Sequence, residues 1–206
     1  MPIPFLVKSV KNLSYLDDKF TLSWPKFVEW YSSRKAIKAF AKVKPFIVGE
    51  NILDVGFGAG TIGKIIATSG YNLTGIDVAD LSIYSDLKAV IYDGVKMPFK
   101  NKQFDTAVII HVLHHCSDPV ATLIEAKRCA KRVVFIEDTY RNSFEKAIVS
   151  FNDNLGNWEF YQHPYQTDLS WRQTIQKLGY KLIYQQSWTE MSPSILPSRY
   201  CLCVIE

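Results

Sequence analysis

From residue 45 onward the chain alternates short apolar runs with stretches whose apolar residues recur at helical spacing. The runs are Asn51–Val55, Asn72–Ile76, Ala89–Tyr92, Thr106–Ile110 and Arg132–Glu137, and helices are predicted at Thr61–Ser69 and Pro119–Ala130. Runs this short and this apolar read as strands buried on both faces, as in a parallel sheet covered by helices. Asp118 before Pro119 suits a helix start, since the carboxylate accepts the first free N–H groups and proline tolerates the first helical position. Gly70 suits a helix stop. Near the end, Trp171–Leu178 reads as a helix, and Lys181–Trp188 and Tyr200–Ile205 read as strands. Two late strands joined without a helix predict an antiparallel pair at the edge of the sheet.

Ahead of residue 45 the pattern is different. Phe27, Trp30, Tyr31, Ile37, Phe40 and Ala41 recur at roughly helical spacing between Ser23 and Ala41, with Ser23 and Pro25 as start signals. The expected organisation is a helical cap or lid over residues 1–44 and one α/β domain over 45–206. The expected fold is a single doubly wound Rossmann-like domain with helices on both faces of the sheet.

Composition narrows the class. At 206 residues, 48% of them apolar and 14% aromatic, the chain fills one core and does not read as disordered. No apolar stretch is long enough to span a bilayer, and MPIPFLV lacks the features of a secretory signal. Cys116, Cys129, Cys201 and Cys203 form no CxxC pair, so a reducing cytoplasmic setting is expected. Residues 1–44 hold nine Lys or Arg against three Asp or Glu. Scattered among apolar residues, these cations read as a solvated face or as a surface for an anionic substrate, rather than as a nucleic-acid interface.

The chemistry concentrates in Leu53-Asp54-Val55-Gly56-Phe57-Gly58-Ala59-Gly60-Thr61-Ile62-Gly63. An apolar strand runs into alternating glycines and then into a helix, as required where backbone turns sharply and a ligand must approach it closely. Asp77, at the tip of the next strand, can accept both hydroxyls of a ribose. Together these features specify an adenosine-type nucleoside site. Gly58, Gly60 and Gly63 also fit the dinucleotide pattern. However, Asp54 would repel a pyrophosphate and suits a cationic ammonium. Further along come Asp93-Gly94-Val95-Lys96-Met97-Pro98-Phe99, then Phe104-Asp105 opening a strand that ends at His111-Val112-Leu113-His114-His115.

This ordered series resembles the class I S-adenosylmethionine-dependent methyltransferases of the small-molecule type, over roughly residues 50–137. The resemblance implies a mostly parallel seven-stranded sheet in the order 3-2-1-4-5-7-6 with one antiparallel strand, and S-adenosylmethionine as cofactor. It implies that Asp54, Gly56, Phe57, Gly58 and Gly60 surround the methionine moiety and that Asp77 and Val78 hold the ribose. Asp93 and Gly94 would meet the adenine, and His111 would lie beside the methionine part through its backbone. Two departures stand out. Only 15 residues separate Asp77 from Asp93, so a loop around Leu81–Asp86 replaces the usual helix. Cys129-Ala130-Lys131-Arg132 stands where a Pro-Gly-Gly turn is common.

Transfer of a sulfonium methyl needs orientation first, and a base if the acceptor is a hydroxyl. Glu137 and Asp138 at a strand tip, with His163 from an aromatic connection containing Tyr140, Trp158 and Tyr161, are the candidates for that role. His111, His114 and His115 read first as packing and backbone capping. No metal is expected, because adjacent side chains do not readily converge on one ion and no distant ligand cluster supports them. The expected function is methyl transfer to a small-molecule acceptor, without a membrane or a nucleic acid. The alternatives are a non-catalytic module binding S-adenosylmethionine or its demethylated product, and an NAD-linked oxidoreductase.

Overall fold

The computed structural model describes residues 33–157, 163–191 and 196–206. One sheet is built from β1 (Asn51–Val55), β2 (Asn72–Asp77), β3 (Ala89–Ile91), β4 (Phe104–Ile110), β5 (Ala130–Thr139), β6 (Leu182–Met191) and β7 (Pro197–Ile205). Its order is β3-β2-β1-β4-β5-β7-β6. The first five strands pair in parallel, and β7 runs antiparallel to both β5 and β6. The expected topology holds.

Alternation along each central strand splits the core into two layers. Leu53, Val55, Ala107, Ile109, Val133, Phe135, Cys201 and Cys203 face one layer. That layer is closed by α3 (Pro119–Cys129) and α5 (Asp168–Lys177), whose Trp171 meets Phe135 edge-on at 5.2 Å. Ile52, Val108, Val134, Ile136, Leu202 and Val204 face the other, under α1 (residues 33–43) and α2 (Thr61–Thr68). Strand residues apolar on both faces are the reason these segments read as continuous runs.

In α1 the buried stripe is Ala36, Ala39, Phe40 and Val43, a run of i, i+3, i+4 and i+7 positions. Two of the apolar residues assigned to the helix from its spacing lie outside that stripe, Ile37 and Ala41, both of which are exposed. Phe27, Trp30 and Tyr31 lie outside the described residues.

Two side-chain clips fix the strand ends. The Asp105 carboxylate accepts from the backbone N–H of Glu50 and Asn51, while Lys131 donates to its other oxygen at 2.8 Å. These donors, Lys131 first, hold Asp105 well below the usual carboxylate range. Arg128 donates to the carbonyls of Phe99 and Met97 and pairs with Glu125, whose carboxylate accepts from Met97 N–H. That fork clamps the turn between β3 and β4 to α3. Asp118 caps α3 as its sequence predicts, accepting from Val120 and Ala121 N–H, an arrangement worth about 1 kcal/mol.

The long connection after β5, expected only as an aromatic-rich segment, contains a helix, α4 (Ser143–Asn157). Phe144, Ala147, Ile148, Phe151 and Leu155 recur at helical spacing along it, and its start is legible too. Asn142 accepts from Glu145 N–H, and Glu145 accepts from Arg141 N–H, a variant of the reciprocal cap that Asn-x-x-Glu encodes. Between β2 and β3 the chain forms turns and bends, as the short spacing from Asp77 to Asp93 requires. Among the described residues no helix is long and apolar enough to cross a membrane.

Candidate active site

The tips of β1 and β2 bring the glycine turn and two carboxylates together. Gly56, Gly58 and Gly60 all take positive φ, at 75°, 51° and 80°. A Cβ on Gly56 would lie 2.4 Å from Val112 Cγ2, so that position is closed by the protein itself. A Cβ on Gly58 would meet nothing nearer than Gly56 O at 3.9 Å. Gly58 therefore borders open space, which is where a ligand can approach backbone.

Phe57, expected among the cofactor contacts, also has a packing role. Its ring sits where Cβ atoms on Gly63 and Gly75 would come within 2.3 and 2.2 Å of it. It is a buried wedge between α2 and β2, and it explains both glycines by packing. Its N–H donates to Ile76 O and its carbonyl accepts from Gly60 N–H, so its backbone is engaged too.

Asp54 is buried on β1, and its Oδ2 has no hydrogen-bond partner. Burial foremost, and the nearby Asp77 charge second, push its carboxyl well above the usual range. A cationic group entering the site would relieve both effects. Asp77 accepts from Gly58 N–H at 2.7 Å on one oxygen and from Val78 N–H at 2.6 Å on the other. Burial raises its pKa against the pull of those N–H donors. At the strand tip this carboxylate is placed to accept from a ribose hydroxyl. Val78 lies beside Gly94, whose added Cβ would be 3.2 Å from Val78 Cγ1, so the ends of β2 and β3 meet. Asp93 Oδ1 accepts from Val95 and Lys96 N–H, which hold its carboxyl below the usual range. The loop after β2 folds over the glycine turn, Ile83 N–H donating to Ala59 O at 3.1 Å. This set fits a nucleoside carrying a cationic amino-acid arm.

The tips of β4 and β5 carry two histidine–carboxylate couples. His111 has φ 55°, a left-handed conformation that a non-glycine residue adopts at some cost, and its N–H donates to Ile136 O. Its Nδ1 lies 2.6 Å from Asp138 Oδ2, and its ring meets Tyr200 edge-on at 5.1 Å. Burial first, and Lys35 second, lower the His111 pKa against the pull of Asp138. Asp138 settles at about 2, because the histidine and Lys35 charges outweigh its burial. His111 and Tyr200 line an open crevice with Lys35, Lys38, Lys42 and Trp188.

The second couple is buried. His114 Nδ1 lies 2.6 Å from Glu137 Oε2, while Glu137 Oε1 accepts from Val112 and Leu113 N–H. Glu137 and Asp138, grouped as one acid–base candidate in the sequence reading, therefore serve separate histidines. The couples touch only where His114 Nδ1 lies 4.0 Å from Asp138 Oδ2. His163 is buried beside His114, its Nδ1 3.3 Å from His114 O. The side chain missed at this site is Asp153 of α4, which lies near His114, His115 and His163. No local motif marks it. Trp158 and Tyr161 lie outside the described residues.

Residues 53–135 match the family described as a methyltransferase domain. The matched stretch is less than half of the chain. The match ends inside β5, so the domain's recognised part holds the glycine turn, Asp77, Asp93 and His111. One relative, a ubiquinone biosynthesis O-methyltransferase of Bordetella parapertussis, is 31% identical over 116 residues, covering 49% of this chain and 48% of that protein. The chain spans about half the length of the curated relatives it matches, 52% and 48% of the first two. Among solved structures, a SAM-dependent methyltransferase from Methanosarcina mazei superposes with TM-score 0.60 at 17% identity, over 79% of this chain and 95% of that one. The 4+2 cyclase SpnF superposes with TM-score 0.61 at 12% identity, over 84% of this chain and 79% of that one. These structures share the fold.

Proposed function

We propose that the protein transfers the methyl group of S-adenosylmethionine to a small, anionic, hydroxyl-bearing acceptor, with His111 as the base and Asp138 as its orienting partner. The observation that carries the reading is the pairing of the open glycine turn at Gly58 with the unpartnered Asp54 oxygen and with Asp77. Asp54 supports the cationic arm, Asp77 the ribose, and Asp93 with Gly94 the adenine. The bound cofactor supplies an electrophilic methyl, so the protein's own work is orientation and proton removal. His111, kept neutral by burial and by Lys35, accepts the acceptor's proton, and the ionised Asp138 holds the ring and stabilises the resulting imidazolium. Among the described residues, Lys35, Lys38 and Lys42 line the crevice together with Glu190, a balance that favours an acceptor with negative charge. The described part of the expected N-terminal cap, α1, lines this mouth through Lys35, Lys38 and Lys42, in a protein that works in a reducing, cytoplasmic setting.

A second reading is a cofactor-binding domain that performs no methyl transfer, favoured by the cyclase that shares this fold. Calorimetric titration with S-adenosylmethionine and S-adenosylhomocysteine, with NAD and NADP as controls, tests the cofactor. Saturable binding of the first two, lost in Asp77→Ala, is expected, and preference for a dinucleotide refutes the assignment. Methyl transfer from labelled cofactor to any member of an anionic phenol or enol panel then separates the two readings.

A further inference from the structure

A group of donors beside the proposed acceptor site is not used by methyl transfer. His114 and His115 sit on the 3₁₀ turn Leu113–His115 that follows β4, and their rings lie 4.1 Å apart, tilted by 45°. Adjacent residues converge here because that turn is tight and because α4 brings Asp153 to them from a distant part of the chain. His114 Nε2 is 3.6 Å and His115 Nε2 3.7 Å from the same oxygen, Asp153 Oδ1. One ligand atom from each of the three residues lies within 4.8 Å of the others.

These separations are too long for hydrogen bonds and close to the edge of a coordination sphere. Bonds of about 2.0–2.1 Å in tetrahedral array separate their ligand atoms by roughly 3.3–3.5 Å. The two contacts to Asp153 need to shorten by only a few tenths of an ångström, and the two imidazole nitrogens, within 4.8 Å of each other, need to draw together around the ion. His114 is 2% exposed, and its Nε2 has no hydrogen-bond partner although it is aimed at this oxygen.

The surroundings are also those of a metal site. Glu137 fixes His114 through Nδ1 at 2.6 Å, so the imidazole's other nitrogen is directed inward. A carboxylate behind a ligating histidine is the usual way to set its tautomer and basicity. The other Asp153 oxygen, Oδ2, accepts from Tyr165 O–H at 2.7 Å and lies 3.4 Å from His163 Nε2. Asp153 is thereby turned so that Oδ1 faces the two imidazoles. His115 and Asp153 retain side-chain exposures of 15% and 11%, which gives an ion a way in.

We propose that His114, His115 and Asp153 bind one divalent transition-metal ion of the zinc class, with Glu137, Tyr165 and His163 positioning the ligands. Two imidazoles and one carboxylate suit zinc or cobalt and discriminate against magnesium and calcium, which prefer all-oxygen shells. Three protein ligands leave a fourth position for water or a ligand oxygen. The ion would tie the turn after β4 to α4, next to Asp138. This site stands or falls independently of the methyl-transfer reading.

The test uses the full chain stripped with chelator and titrated with Co²⁺, then with Zn²⁺. One cobalt per chain with the intense visible bands of four-coordinate Co²⁺, displaced by equimolar Zn²⁺, is expected. His115→Gln, on the most exposed ligand, should weaken Zn²⁺ binding at least about a hundredfold, and Glu137→Gln about ten- to a hundredfold. A far-ultraviolet circular dichroism spectrum and thermal transition matching the wild type show that His115→Gln is folded. Absence of the cobalt bands in the wild type, or equal bands in folded His115→Gln, overturns the proposal and leaves His114 as an imidazolium held between two carboxylates.

Discussion

The tips of β1 and β2 and the tips of β4 and β5 stand side by side in one sheet, yet they are built from different materials. At the first pair the working surface is backbone, with three glycines at positive φ, the N–H groups of Gly58 and Val78, and only two carboxylates. At the second it is side chain, with two histidines, each held by its own carboxylate 2.6 Å away. A backbone surface constrains residue type tightly, because only glycine fits where a Cβ would strike Val112 or strain the turn. A side-chain surface constrains geometry instead, and its members arrive from β4, β5, α4 and the segment after α4. The first half thus suits a cofactor common to many reactions, and the second suits chemistry particular to one protein.

The sharpest test of this contrast is His111→Asn, which tolerates the left-handed backbone but removes the base. Turnover of an acceptor found by screening should fall about a hundredfold to ten-thousandfold, while calorimetric affinity for S-adenosylhomocysteine stays within about twofold. Equal loss of both would mean that His111 acts through the cofactor end. The pH profile tests the same assignment. His111 must be neutral to accept a proton, and its folded pKa lies below the usual 6.5, through burial first and Lys35 second, against Asp138 and Glu137. The acid limb of kcat/KM should therefore lie below pH 6.5. Lys35→Gln should move that limb upward, since it removes the cation that opposes protonation. A limb above 6.5, or one unmoved in Lys35→Gln, contradicts the role. The same shift makes this histidine's contribution to folding stability decline as pH falls through the unfolded value of about 6.5 toward the folded one.

At the cofactor end, two glycines two residues apart separate packing from binding. Gly56→Ala places a Cβ 2.4 Å from Val112 and should cost roughly 2–4 kcal/mol in chemical denaturation, with binding lost through unfolding. Gly58→Ala enters open space at φ 51°, so its folding cost should be only about 1 kcal/mol. Its Cβ nevertheless stands on the ligand side, and affinity for S-adenosylhomocysteine should fall about tenfold, equivalent to about 1.4 kcal/mol. If the stability and affinity losses do not part in this way, Gly58 does not border the cofactor.

The same contrast explains what was legible in the sequence. The strands and the strand-tip carboxylates are legible because apolar runs and glycine spacing are local signals, whereas the strand order follows from the family resemblance those motifs carry. The packing of Phe57 is not legible, since its neighbours Gly63 and Gly75 are contacts that only the fold creates. Ile37 looked like core at helical spacing, yet the face of α1 that meets the sheet is set by Ala36, Ala39, Phe40 and Val43. Glu137 and Asp138 are neighbours in sequence, so they were grouped, although their side chains serve different histidines. Asp153 carried no signal, because its meaning depends on α4 reaching back to the turn after β4. The cap at Asn142 and the spacing of Phe144, Ala147, Ile148, Phe151 and Leu155 are the local clues to that helix, but they do not show where it docks.

A smaller effect tests how the cofactor end is held in place. Asp93 and Gly94 open the turn that runs to Phe99, and Arg128 grips that turn through the carbonyls of Met97 and Phe99 while pairing with Glu125. A lysine keeps the charge but cannot reproduce the planar fork, so Arg128→Lys should leave at least one of these acceptors unserved. The expected stability loss is about 1–2 kcal/mol. Because Asp93 sits on the clamped loop without touching Arg128, affinity should fall only roughly two- to fivefold, under about 1 kcal/mol. Removing the adenine from the probe makes the measurement specific. S-adenosylhomocysteine should lose affinity in Arg128→Lys, whereas a fragment limited to ribose and the amino-acid arm should bind the two proteins equally. Equal losses for both ligands would place the clamp's influence on the glycine turn instead, and the cofactor surface would then depend on distant side chains after all.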